Sequence, residues 1–345
     1  VTSPSPVPIP AALTRRYSRT AEGRAWLASL PGVIADALEA FSLVLDLAPG
    51  AEPWSGHCAV VVPVRLNDGA PGVLKAAYPH EESRTEHLAL GLWEGRGAVR
   101  LIAADPEAGV LVLERLEATR SLQEVPLAAA TAVWGGLVRR LSITPDGRPA
   151  WRGFEQVAAV AERWSDEFPE RWEALGRPFP RWLLEAALEV CQTRGVVGRR
   201  SGVDVLVHAD LHFLNILARP GTAAGSGHPD DYRAIDPHPL VGEAEFAVAP
   251  LLWNRLAELS AADPAAALLE RCQEFSAAAG LDGDVARQWA LAREVENALW
   301  YTEERNDGGR VRSLWVASTL AGRTLDGLPM PADLPVPGAS GPSRG

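Results

Sequence analysis

Asp210 and Asn215 stand five residues apart in the stretch His208-Ala209-Asp210-Leu211-His212-Phe213-Leu214-Asn215, and Asp236 follows 21 residues after Asn215. A carboxylate that accepts a hydroxyl proton, an amide oxygen and a second carboxylate are the parts needed to move a phosphoryl group from ATP to an alcohol. Asp210 is then the candidate catalytic base, and Asn215 and Asp236 the candidate ligands of Mg2+. This cation takes hard oxygen donors and often only one or two from the protein. The plain alternatives are an Asp that caps a turn at 210 and an Asp-Pro turn at 236-237. The H-x-D-L-x-x-x-N pattern favours the chemical reading.

The chain has a single lysine, Lys75, against a strong usage of arginine. It lies in the apolar segment GVLKAAY, so its ammonium must reach a polar site or solvent. A phosphate-contacting lysine is the functional reading and an edge-strand lysine the plain one. Glu86, eleven residues on, would hold that ammonium as an ion pair, and Glu82, one helical turn earlier, is its rival. Ser55 and Gly56 precede the strand CAVVVPV and could form a loop over the phosphates, although an ordinary turn fits equally well. Glu114 and Leu116, at the end of GVLVLE and just after it, mark a candidate hinge whose backbone would face adenine.

A different chemistry can be read from His208, Asp210 and His212, which form H-x-D-x-H, a possible zinc-hydrolase cluster. His228 and His238 are the other histidines at hand, neither at a recognised spacing, and this reading leaves Lys75 unexplained. On the phosphotransfer reading His208 and His212 support the catalytic loop.

Bulk properties narrow the class. At 345 residues with 47% hydrophobic content, the chain can bury two cores. Its net charge of −11 argues against a nucleic-acid partner. Cys58, Cys191 and Cys272 are far apart and odd in number, which reads as reduced thiols and a cytoplasmic protein. No secretory signal or membrane-spanning run is expected, and no obligate protein partner is evident.

The elements that must position these residues divide in two. Residues 1–10 and 328–345 are Pro-rich and expected to be flexible. Residues 11–115 read as a strand-rich lobe. It has helix within 22–46 interrupted at Pro31, strands at 58–66, 72–77, 99–104 and 109–114, and one main helix over 81–95. Residues 116–327 read as a larger lobe, helical over 121–143, 152–168, 180–194, 244–260, 264–279, 284–304 and 311–325. Short strands at 203–207, 214–218 and 232–235 surround the H-x-D motif, and 219–231 is loop by composition.

With these residues in hand, the chain resembles the aminoglycoside phosphotransferase family, and within it the streptomycin 6-kinase/hydroxyurea-resistance branch. The segments that carry the likeness are GRAWLASLP, EHLALGLWEGRGAVRL, LVLERL, VHADLHFLNIL, AIDPHPLVGEAEFAVAPLLWNR and NALWYTEE. The resemblance implies an α+β, protein-kinase-like bilobal fold, ATP and Mg2+ as cofactors, and a small-molecule acceptor. It makes Asp210 the base, Asn215 and Asp236 the magnesium ligands, and Lys75 and Glu86 the ATP-positioning pair. Ala209 replaces the arginine that follows the histidine in most protein kinases, so no phosphorylation switch is implied. A streptomycin-like antibiotic, inactivated at its 6-hydroxyl, is the favoured acceptor. Hydroxyurea, a peptide antibiotic, an amino sugar or a nucleotide-binding protein of low transferase activity are the alternatives. Glu303 and Glu304, with Trp300, are the candidate contacts to a cationic acceptor. The chain departs from the branch at Ala247, where an Asp is expected; Glu243 or Glu245 could compensate.

Overall fold

The computed structural model describes residues 7–334 except 49, 80, 197 and 199–202, with only the backbone at 81–83. Two helices open the chain, α1 (Ala11–Tyr17) and α2 (Ala21–Ala40), followed by strands β1 (Val44–Leu45), β2 (Trp54–Ser55), β3 (Ala59–Arg65) and β4 (Pro71–Ala77). Helix α3 (Glu81–Trp93) then precedes β5 (Leu101–Asp105) and β6 (Val110–Glu114). These strands make one antiparallel sheet in the order β1-β3-β4-β6-β5, with β2 paired to β3.

The sheet's two faces are set by strand alternation. Leu74, Ala76, Val110 and Val112 point to one side and pack on Leu13, Leu30 and Ile34 of the first two helices. Val73, Leu111 and Leu113 point to the other, against Ala89, Leu90 and Trp93 of α3, in a core that continues into the helical half. Lys75 shares the parity of Val73, so it faces α3.

The rest of the chain is mainly helical. Strand β7 (Glu117–Ser121) leads to α4 (Leu127–Leu141), then β8 (Glu155–Gln156), α5 (Val157–Ala174) and α6 (Arg181–Arg194). Four short strands follow, β9 (Val205–Val207), β10 (Ile216–Ala218), β11 (Tyr232–Ala234) and β12 (Leu240–Gly242). They form two small sheets, β11-β10-β7 and β8-β12-β9. Helices α7 (Ala249–Leu252), α8 (Pro264–Ala279), α9 (Gly283–Glu303) and α10 (Asp307–Leu320) complete the fold. None of the described helices is long and apolar enough to cross a membrane.

Several elements differ from the sequence expectation. Helix α2 runs unbroken through Pro31 and α5 through Pro169. A proline inside a helix costs about 3 kcal/mol, but buried Leu30 and Ile34, and buried Phe168 and Trp172, hold each helix on both sides of it. The helix expected over 244–260 is broken into short turns around α7, with Arg255 in the left-handed region at φ 53°. Arg255 is held there because its guanidinium donates to the Val125 carbonyl at 2.8 Å and lies over the Phe213 ring. Val7 and Leu334, which fall within the segments expected to be flexible, are both buried. Residues 1–6 and 335–345 lie outside the described residues.

Candidate active site

Lys75 sits mid-strand in β4, opposite Val61 of β3 and Leu111 of β6. Its Nζ lies 2.7 Å from both carboxylate oxygens of Glu86 on α3 and 2.6 Å from Asp236 Oδ1. The ammonium and Glu86 are buried, whereas the Asp236 side chain is 41% exposed. Burial alone would lower the lysine pKa, yet the Asp236 and Glu86 carboxylates outweigh it and hold the group well above its ordinary value. Burial raises Glu86 against the opposing pull of Lys75. At Asp236 burial also acts upward, but Lys75 prevails and keeps the carboxyl below its ordinary range, so it is ionised. The Glu82 side chain, the rival partner, lies outside the described residues.

The loop between β2 and β3 overhangs this cluster. Gly56 N–H donates to the Ala59 carbonyl at 3.0 Å, closing a tight turn. A Cβ placed on Gly56 would sit 3.6 Å from Asp236 Oδ2. Gly56 therefore lies close to Asp236, with Ser55 before it at the end of β2. At the candidate hinge, Glu114 Oε1 accepts from Arg100 N–H at 2.8 Å, and Leu116 is buried in the core. Between them Arg115 fastens the hinge to the sheet, donating to the Gly72 and Val64 carbonyls and to Asp46 Oδ2.

The catalytic loop joins β9 to β10. Ala209 is left-handed at φ 47°, a conformation that costs a residue bearing a Cβ about 1 kcal/mol. Asp210 N–H reaches back to the His208 carbonyl at 2.6 Å. The strained turn is clamped from outside. Arg293 of α9 donates to the Ala209 carbonyl, and Trp134 Nε1 of α4 donates to the Leu211 carbonyl at 3.0 Å. His208 is buried, stacks on Trp93 and shares a 3.0 Å bond between Nε2 and the Ile235 carbonyl. Its burial lowers its pKa to about 3, so the ring is neutral. It serves as a strut between the loop and the strand that delivers Asp236.

Asn215 Nδ2 donates to the Asp210 carbonyl at 3.0 Å and to Asp210 Oδ2 at 3.2 Å. With the amide NH2 engaged there, its carbonyl oxygen is the group left for a cation. Asn215 and Ile235 are tied across the strand pair by a 2.9 Å backbone bond, and Asp236 then turns left-handed at φ 51° before Pro237. One amide oxygen and one ionised, part-exposed carboxylate suit a cation that keeps most of its ligands from phosphates and water. Among the described residues no group of three or more His, Cys, Asp or Glu side chains is placed to hold a metal. The H-x-D-x-H stretch does not converge: His208 points to Ile235, while His212 Nε2 lies 3.7 Å from Asp210 Oδ2 and its ring meets Trp253. This removes the geometric basis of the zinc-hydrolase alternative.

The structure places the three expected acceptor contacts, Trp300, Glu303 and Glu304, at the C-terminal end of α9. Glu303 is bound to Arg171 of α5 through two bonds of 2.8 and 3.1 Å, and Glu296 shares the same guanidinium at 2.5 Å. Glu304 is exposed just beyond the end of the helix, and Trp300 is 40% exposed. Arg293, also on α9, donates to the Ala209 carbonyl, and Tyr301 packs beside Trp300 and accepts from Arg312. The spacing of eight residues puts Arg293 and Tyr301 near one helical face, a signal the sequence carried without showing which face looked inward.

Ala247 lines a void of about 10 Å³ together with His208, Leu206, Val207 and Leu211. His208 Nδ1 has no hydrogen-bond partner among the described residues. Neither nearby glutamate fills the gap. Glu243 is taken by Trp289 Nε1 at 2.9 Å and Arg194 at 3.3 Å, and Glu245 accepts from Asp282 N–H at 3.2 Å. Arg293 and Trp134 clamp the loop through its Ala209 and Leu211 carbonyls.

An antiparallel sheet packed by α1 and α2 on one face and α3 on the other, a helical lobe and a lysine–glutamate–aspartate cluster beside the Asp210 loop define a protein-kinase-like phosphotransferase. The backbone agrees with solved structures of this class. These include a choline/ethanolamine kinase family protein from Mesorhizobium loti (TM-score 0.52, 13% identity, 84% of this chain and 98% of that one). A thermostable mutant of the aminoglycoside phosphotransferase APH(4)-Ia matches equally well (TM-score 0.52, 13% identity, 83% and 96%). At these identities the likeness speaks to the fold alone.

The chain belongs to the aminoglycoside/hydroxyurea antibiotic resistance kinase family, which matches residues 45–305. It is 33% identical to streptomycin 6-kinase of Streptomyces glaucescens, over 92% of this chain and 98% of that one. It is 36% identical to hydroxyurea phosphotransferase of Kitasatospora aureofaciens, over 92% and 87%. The protein is thus a phosphotransferase of an antibiotic-resistance family.

Proposed function

We propose that this protein transfers the γ-phosphoryl group of ATP, with Mg2+, to a hydroxyl of a small antibiotic and so inactivates it. The observation that carries this reading is the convergence of Lys75, Glu86 and Asp236 within hydrogen-bond distance, beside the Asp210–Asn215 pair. Lys75 contacts the nucleotide phosphates, with Glu86 holding the ammonium in place. Asn215 and Asp236 hold the metal ion, which supplies neutralisation of charge on the phosphates when bound. The Ser55–Gly56 loop covers the phosphates and the Glu114–Leu116 backbone flanks adenine. Asp210 orients the acceptor hydroxyl and takes its proton late in the transfer. Most of the rate then comes from positioning and electrostatics, with the base secondary.

A streptomycin-like aminocyclitol is the acceptor to test first, with hydroxyurea beside it, since relatives named for both cover most of the chain. The test is ATP consumption against a panel of antibiotics, hydroxyurea and amino sugars, followed by mass analysis of each product. A gain of one phosphate on streptomycin or hydroxyurea is expected. ATP binding with no adduct on any panel member would reject transfer and leave a nucleotide-binding protein.

A further inference from the structure

Asp210 and three other half-exposed side chains form a rim, and two buried charged ones lie beneath it. The rim is Asp210, His212, Trp253 and Tyr301; beneath are Arg312 of α10 and Glu294 of α9. The contacts run in sequence round this rim. His212 is 3.7 Å from Asp210 and meets the Trp253 ring edge-on at 5.6 Å. The Arg312 guanidinium lies 5.2 Å from the centre of the Trp253 ring and 5.6 Å from that of Tyr301. It also donates to the Tyr301 hydroxyl oxygen at 3.0 Å. These contacts run from Asp210 through His212 and Trp253 to Arg312 and Tyr301.

Three features of this rim are not those of a structural core. Arg312 is 5% exposed, and an arginine is taken out of water only where its position is fixed by strong partners. Tyr301 is locked from behind, since its ring fills the space in which a Cβ on Gly309 would come within 2.5 Å. Its oxygen lone pair receives the arginine N–H, which leaves the phenolic O–H free to donate outward and polarises it. Burial raises the Tyr301 pKa, so the group remains a protonated donor through the neutral range.

We propose that Tyr301 is an acceptor-binding residue. Its O–H donates to an electron-rich oxygen of the acceptor close to the reacting hydroxyl, and Arg312 is the positioning residue that fixes the phenol. This inference rests on the phosphotransfer reading and deepens it. The recognised chemistry is a carbonyl, ether or hydroxyl oxygen rather than a guanidinium or ammonium, which a wall carrying Arg312 would disfavour at this point.

The test is steady-state kinetics of Tyr301→Phe, which removes only the hydroxyl, on the acceptor that the wild type phosphorylates best. The acceptor KM should rise about tenfold, the loss of one hydrogen bond, while the KM for ATP stays within error and the melting temperature falls by about 2–4 °C, because buried Arg312 loses one acceptor. Arg312→Lys should reproduce the rise in acceptor KM in part, and the double variant should add nothing to Tyr301→Phe. An acceptor KM within twofold of wild type in Tyr301→Phe would overturn the inference while leaving the phosphotransfer reading intact. A wild-type protein that phosphorylates no panel member would overturn both.

Discussion

The nucleotide side and the acceptor side of this cleft are built on opposite plans. On the first, Lys75, Glu86 and Asp236 come from three short segments and already satisfy one another at 2.6–2.7 Å. On the proposed reading, a metal–nucleotide complex would exchange the Lys75–Asp236 contact for new ones. On the second, the polar groups are spread over two helices and a turn, and Tyr301 keeps a donor directed away from its own partner. The first side is a closed ion cluster that a ligand reorganises, and the second a preformed wall that a ligand completes. Asp210 stands between them, and replacing it should give the largest effect. Asp210→Asn keeps the Asn215 contacts sterically but removes the base, so kcat should fall by roughly 10²–10⁴-fold with ADP affinity unchanged. Wild-type turnover in that variant would remove Asp210 from its role.

Lys75 separates the two plans next, because its loss acts on stability and on nucleotide binding together. Lys75→Met leaves the Glu86 carboxylate buried with no counter-charge, a change that costs about 3–5 kcal/mol. Adding Glu86→Leu should restore much of that stability, since an apolar pair of similar volume tolerates burial, while activity stays lost. Denaturant midpoints and nucleotide KM measured on the single and double variants decide the matter. Recovery of activity in the double variant would mean that the pair is architecture alone.

The same contrast explains what could be read from the sequence. Lys75, Glu86, Asp210, Asn215 and Asp236 are carried by short motifs in which residue type and local spacing already determine geometry. Strand parity then aims Lys75 at α3 without further information. The acceptor wall has no such signature. Tyr301 and Arg312 meet only because α9 and α10 pack side by side, and sequence spacing could not say which face of α9 turned inward. Nor could spacing show that Glu303 pairs with Arg171, 132 residues away. Breaks in 244–260 and continuity through Pro31 were hidden for the same reason, since both depend on tertiary partners.

Two buried titratable groups lie on either side of the divide and should pull stability in opposite directions with pH. Burial raises the Glu294 pKa to about 7, against the pull of Ser313, Arg312, Asn297 and Arg293; burial lowers that of His208 to about 3. Between pH 4.5 and 6.5 folded Glu294 holds a proton that the unfolded chain has lost, so its contribution falls as pH rises. Over the same window the unfolded chain binds a proton at His208 that the folded state refuses, so that contribution rises. The two cancel in the wild type. Glu294→Gln removes the first, and its stability should climb by roughly 2 kcal/mol from pH 4.5 to 6.5, with the slope flattening as the unfolded histidine loses its proton. Parallel stability curves for variant and wild type would show that Glu294 ionises near its ordinary value.

The smallest effect should come from Glu303, and it bears most directly on where the acceptor wall ends. Its side chain is 38% exposed and its Arg171 partner 22% exposed, so solvent screens the pair and its loss costs at most about 1 kcal/mol. Glu303→Gln should therefore lower stability slightly and leave the KM of every acceptor unchanged, including those bearing guanidinium groups. Glu296 retains Arg171 in that variant, which keeps α5 and α9 together and isolates any effect on binding. A rise of tenfold or more in KM confined to cationic acceptors would mean that Arg171 yields Glu303 to the ligand. The acceptor side would then share the plan of the nucleotide side, a closed ion cluster opened by what it binds.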